Sequence, residues 1–140
     1  VQLHDGFAHT HPDQIGEQMT LVPREHLVVP NGDAEHHRIT QVEGIELSGP
    51  VDVRVLSEGD DMILLEVTMP PGQASRPHTH DHESVGYLVS GRAQTVVDGV
   101  TYDLAPGDGF RHPPHVVHNM QALDEGAVWL EIKSPPTRTW

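Results

Sequence analysis

From Val51 onward the chain never runs far before a glycine- or proline-bearing turn stops it. Glu58-Gly59-Asp60-Asp61, Pro70-Pro71-Gly72, Ser90-Gly91, Asp98-Gly99 and Ala105-Pro106-Gly107-Asp108-Gly109 cut the sequence into short apolar stretches. Such stretches match the length of strands rather than helices, and short strands at regular spacing close into a sandwich or barrel. Thirteen glycines and twelve prolines suit the same design. The expected fold is all-β.

The predicted strands are Val51 to Leu56, Met62 to Met69, His78 to His80, Val85 to Val89, Ala93 to Val97, Val100 to Leu104, Phe110 to His112 and Val128 to Ile132. Asp98-Gly99 is a hairpin turn, because both residue types accept positive φ cheaply. Leu21 to Val29 and Arg38 to Leu47 are expected as peripheral strands on either side of the turn Pro30-Asn31-Gly32-Asp33. Residues 1–20, with His4, His9 and His11, show no sustained period and are read as an N-terminal arm. Residues 21–140 are read as one domain, since a chain of 140 residues supports one sizeable core. The tail from Ser134 to Trp140 is expected to lie extended across the surface, its prolines being unable to join a central ladder.

Eight basic residues against twenty-one acidic ones give a net charge of −13. That charge repels phosphate backbones and anionic lipid, so neither nucleic acid nor a membrane is an expected partner. No basic segment followed by an apolar one marks export, and the expected compartment is the cytoplasm.

Twelve histidines and no cysteine mean that any metal is held by imidazole, carboxylate and water rather than thiolate. His78 and His80 alternate with Thr79, so on an extended backbone they share a face and can converge on one ion. A second cluster, His112, His115 and His118 around Pro113-Pro114, offers an imidazole from a distant segment to complete the shell.

These residues resemble the cupin family, small double-stranded β-helix (jelly-roll) barrels with two spaced motifs. The first motif is Gly, five residues, His-x-His, three or four residues, Glu, six residues, Gly; Gly72, His78, His80 and Gly91 fit it. The second is Gly, five residues, Pro-x-Gly, two residues, His, three residues, Asn; Gly107, Pro113 and His118 fit it. The motifs span residues 72–122. Ser84 stands where the family usually supplies a ligating Glu, His115 where it has the motif glycine, and Ala122 where it has the asparagine. The resemblance implies His78, His80 and His118 as metal ligands, with His112 the candidate fourth and His82 its competitor.

Within the family, the stretch from His78 to Gly91 and the ending Ser134-Pro135-Pro136 are similar to small members that include the ketouronate-forming sugar enzymes of pectin breakdown. Those end in Asp-x-Phe-Ser-Pro-Pro-Arg; here Glu131 takes the Asp place, Lys133 the Phe place and Thr137 the Arg place. The chain also resembles the aromatic polyketide cyclases of actinomycete pathways, of the resistomycin and tetracenomycin type. That resemblance implies a divalent metal, zinc ahead of iron, nickel or manganese, and aldol-type cyclisation of a poly-β-ketone in an apolar cavity. A metal-bound water is the expected base. Tyr87, Phe110, Met120 and Trp129 are candidates for the pocket wall, and Arg92 or Lys133 for anchoring a carboxylate or thioester end. The substrate is either free or bound to a carrier protein, and a homodimer is expected. The alternatives are a metal-dependent dioxygenase, a ketouronate isomerase and a ligand-binding cupin without activity.

Overall fold

The computed structural model describes residues 27–140. After a single 3-10 turn at Asn31–Asp33 the described chain is built of strands: β1 Glu35–Val42, β2 Ile45–Glu58, β3 Ile63–Met69, β4 Glu83–Val97, β5 Val100–Leu104, β6 Gly109–His112 and β7 His118–Ser134. They form an antiparallel sheet in the order β1-β2-β3-β7-β4-β5, with β6 paired to β4. The all-β expectation is met. No helix among the described residues is long and apolar enough to cross a membrane.

Alternation positions the core. Ile63, Leu65, Val67 and Met69 on β3 are buried while the residues between them are half-buried, and Val51, Val53 and Val55 on β2 repeat the pattern. With Leu88 of β4 and Met120 and Trp129 of β7 they make one hydrophobic cluster. Each fully buried aliphatic side chain contributes roughly 1.5–3 kcal/mol.

The two longest strands organise the site. The first half of β4 pairs with the second half of β7, and its second half pairs with the first half of β7, with register shifts at Leu88/Ser90 and Gly91/Ala93. Such shifts bend a strand and increase its twist. Gly91 sits at this bend with φ 78°, and a Cβ there would run into the carbonyl oxygen of Gly126.

Several sequence expectations need correction. Arg38 to Leu47 is not one strand but the two arms of a hairpin, because Glu43 and Gly44 both take positive φ. His78 to His80 is not a strand; His78 makes one isolated bridge, to His118. The expected Val128 to Ile132 is the end of a 17-residue strand beginning at His118. Its first half carries Asn119, Gln121, Asp124 and Glu125, which hid the apolar alternation. Of the strand expected over Leu21 to Val29, residues 27–29 are not extended into any ladder, and the remainder lies outside the described residues, as does the arm at 1–20. The tail does more than cross the surface: Arg138 pairs with Glu35 and Glu58, and Trp140 packs against the core and beside His37. The turn at Asp98-Gly99 is as expected, with φ 49° and 77°.

Candidate metal centre

His78 and His80 lie on the segment leading into β4, and His118 opens β7. The bridge between His78 and His118, with both N–H···O bonds at 3.0 Å, clamps the two segments together. One ring nitrogen from each of His78, His80 and His118 lies within 4.8 Å of those of the other two. The ring centroids are 4.5–4.9 Å apart.

Each of the three rings is held by its other nitrogen. Nδ1 of His78 donates to the Arg76 carbonyl at 2.6 Å, Nδ1 of His118 to the Val116 carbonyl at 3.1 Å, and Nδ1 of His80 to Oε1 of Glu43 at 2.8 Å. With the proton on Nδ1, the lone pair of every ring is on Nε2. Metal-binding histidines are oriented in this way, the outer partner fixing tautomer and direction together.

Burial keeps His80, His82, His112 and His118 neutral. It is the main reason that His80 is pushed down to about 2 and His82 and His112 to about 4; Lys133 adds to it at His80 and His82, and His118 at His112. His118 is lowered as well, again chiefly by burial. Neutral imidazoles are what a metal requires.

His112 is buried and stacks on His118, with centroids 4.0 Å apart and planes at 16°. Its Nε2 is 2.8 Å from Oγ1 of Thr95, and that hydroxyl gives its own proton to the Asn119 carbonyl. Nε2 of His112 is therefore the donor in this pair. His82 stacks on His80 at 4.4 Å, and its Nε2 is buried with no hydrogen-bond partner in the structure. A buried orphan nitrogen beside three converging imidazoles fits a site that holds an ion or ordered water. His115 is exposed, outside the cluster, near Asp81.

The histidines line a cavity of about 70 Å³ whose wall also includes Val51, Val53, Val67, Met120, Trp129, Glu131 and Lys133. Of the pocket candidates, Met120, Trp129 and Lys133 line this cavity. Tyr87 and Arg92 are not: both are exposed, because on β4 the inward positions are Ser84 and Leu88 on one side of the bend and Ala93 and Thr95 on the other. Phe110 also lies outside this cavity, its ring over Gly86 and 5.0 Å from His112.

Two carboxylates join the site: Glu131, which the sequence matches to the Asp of the pectin-enzyme ending without giving it a role, and Glu43, which it does not single out. Glu131 follows Trp129 and precedes Lys133 at alternate positions on β7, a run that adds a structural signal to its place in the ending. Trp129 Nε1 donates to its Oε1 at 3.2 Å, and Lys133 Nζ is 3.7 Å from Oε2. Burial pushes the carboxyl up, but Lys133 first, then His112, the Trp129 hydrogen bond and His118, outweigh it, and the net shift is downward. Glu131 is an ionised carboxylate whose side chain is only 12% exposed. Glu43, the second, had no signal beyond the Glu-Gly dipeptide of a turn.

The strand order defines a cupin fold, and the segment before β4 and the start of β7 bring together three histidines that could hold a metal ion. Residues 65–133 match the Cupin domain family. The chain is 28% identical over 91 residues to the pectin degradation protein KdgF of Dickeya dadantii (strain 3937), a match covering 64% of this chain and 83% of that protein. It is 32% identical over 87 residues to oxalate decarboxylase OxdC of Bacillus subtilis (strain 168), covering 59% of this chain but 23% of that protein. An RmlC-like cupin from Shewanella frigidimarina superimposes with a TM-score of 0.68 at 26% identity, covering 78% of this chain and 90% of that one.

Proposed function

We propose that this chain is a metal-dependent enzyme that moves a proton beside a carbonyl group of a small sugar-acid-like substrate, in the manner of a ketouronate isomerase. The observation that carries the reading is the ionised Glu131 set next to three converging imidazoles. His78, His80 and His118 would hold a divalent ion, which when bound supplies Lewis acidity toward a substrate oxygen. Three protein ligands leave positions open, as a catalytic site needs.

The protein's own residues do the rest. Glu131 takes the proton from the carbon next to the carbonyl and returns it to a neighbouring position, a role worth roughly 10²–10⁴-fold. Trp129 and Ser84 hold its two oxygens, at 3.2 and 3.4 Å. Lys133, whose Nζ also donates to Oγ1 of Thr139 at 3.1 Å, presents a cation to a substrate carboxylate. His112 braces His118 from behind. The valine wall and Trp129 exclude water, which strengthens each of these interactions.

The polyketide-cyclase reading uses the same first step, with the carbanion attacking a second carbonyl of the same chain instead of being reprotonated. The apolar wall favours it. The cavity size favours the smaller substrate: at about 10–15 Å³ of such space per water, 70 Å³ holds about five to seven waters. The likeness to a pectin degradation protein points the same way.

The test is isomerisation by metal-reconstituted protein of the uronates that pectin releases, followed by formation of the keto sugar acid and by deuterium uptake from heavy water at the carbon beside the carbonyl. The proposal expects metal-dependent turnover that Glu131→Gln lowers by roughly 10²–10⁴-fold. Ring closure of a poly-β-ketone with no action on uronates supports the cyclase instead, and iron-dependent oxygen uptake contradicts both.

A further inference from the structure

The turn joining β1 to β2 contains an unusual residue. Val42 pairs with Ile45, so the loop is Glu43-Gly44 alone, with φ 52° and 74°. A two-residue hairpin with positive φ at both positions normally carries Asn, Asp or Gly at the first, because a longer side chain is strained there. Glu43 is kept in that conformation by contacts on both its backbone and its side chain. Its N–H donates to the Thr139 carbonyl at 2.9 Å, and its Oε1 accepts from Nδ1 of His80 at 2.8 Å.

His80 differs in this respect from the other two histidines. His78 and His118 are oriented by carbonyls two residues back in their own segments. His80 is oriented by a carboxylate 37 residues away, on a hairpin outside the stretch that matches the cupin family. A charge-assisted hydrogen bond is shorter and roughly twice as strong as a neutral one. It also makes the opposite ring nitrogen a better donor. Backbone strain at a position whose side chain reaches a ligand candidate is the pattern expected where strain serves function.

We propose that Glu43 is a positioning residue for the metal: its carboxylate fixes the tautomer and direction of His80 and strengthens Nε2 as a ligand. This rests on His78, His80 and His118 being the metal site.

The test compares wild type, Glu43→Gly and Glu43→Gln by zinc affinity in chelator competition, by the visible spectrum of the cobalt-loaded protein, and by the melting temperature of the metal-free protein. Glycine adopts φ 52° freely, so Glu43→Gly is expected to melt no lower than wild type without metal, yet to bind zinc about 10–100-fold more weakly, with a shifted cobalt spectrum. Glu43→Gln keeps an oxygen acceptor and is expected to lose less affinity than Glu43→Gly. Wild-type zinc affinity and an unchanged cobalt spectrum in Glu43→Gly would overturn the proposal. So would equal affinity losses in both variants accompanied by a lower metal-free melting temperature, which mark a structural role. Failure of wild type itself to bind either ion instead sinks the metal reading of the three histidines.

Discussion

Ser84 Oγ on β4 donates a hydrogen bond to Oε2 of Glu131 on β7, at 3.4 Å. The position where the resemblance places a ligating carboxylate therefore holds a hydroxyl, and a carboxylate arrives beside it from the neighbouring strand. Glu131 is outside the set of three converging ligands, which frees it to act as a base. Glu131→Gln is expected to lower kcat by roughly 10²–10⁴-fold while leaving metal affinity within a few-fold of wild type. Steady-state kinetics beside a metal titration check this, and a parallel loss of metal would make Glu131 a ligand.

The buried histidines set an acid limit on stability. In the native metal-free protein His82 and His112 stay neutral to about pH 4 and His80 to about 2, whereas unfolded they protonate near 6.5. Above pH 6.5 neither state binds these protons, and stability is undiminished. Below it the unfolded chain binds more, so stability falls as the pH drops from 6.5 toward 4, by roughly 3 kcal/mol at pH 4 for one group shifted to about 4. Urea midpoints of the metal-free protein between pH 8 and 4 measure it. A flat profile would mean that the histidines titrate normally.

His115 occupies the motif glycine's place and pays for it in backbone conformation: its φ is 63°. Its side chain is exposed, and its N–H donates to the His80 carbonyl at 2.8 Å, a bond that glycine retains. His115→Gly is expected to raise stability by about 1 kcal/mol and the melting temperature by a few degrees, with metal affinity unchanged. Calorimetry decides it.

Gly91 is the opposite case. Its φ of 78° and the clash of an added Cβ with the Gly126 carbonyl coincide at the bend shared by β4 and β7. Gly91→Ala is expected to destabilise by at least about 2 kcal/mol, read from denaturant unfolding.

Much of this was legible in the sequence, for physical reasons. Strands with one buried face announce themselves by alternation, and Met62 to Met69 was read almost to its observed limits at Ile63–Met69. The spacing of His78, His80 and His118 named the residues that the fold brings together. What stayed hidden depended on direction or on distant pairing. Tyr87 and Phe110 looked like wall residues by type, but the pleat turns one outward and Gly86 draws the other over itself. Arg92 looked like an anchor by charge, yet the bend at Gly91 leaves it exposed. Glu43 acquires its role only when a hairpin tip is folded against His80, a contact that no local pattern encodes.

The proposed chemistry requires His78, His80 and His118 to act as one divalent-metal site. Calorimetric titration of chelator-treated protein with zinc tests it most directly, comparing wild type with His118→Ala. One ion per chain is expected in wild type, with a loss of at least about 100-fold in affinity when His118 is removed. No binding by folded wild type, or equal binding by folded His118→Ala, would contradict it.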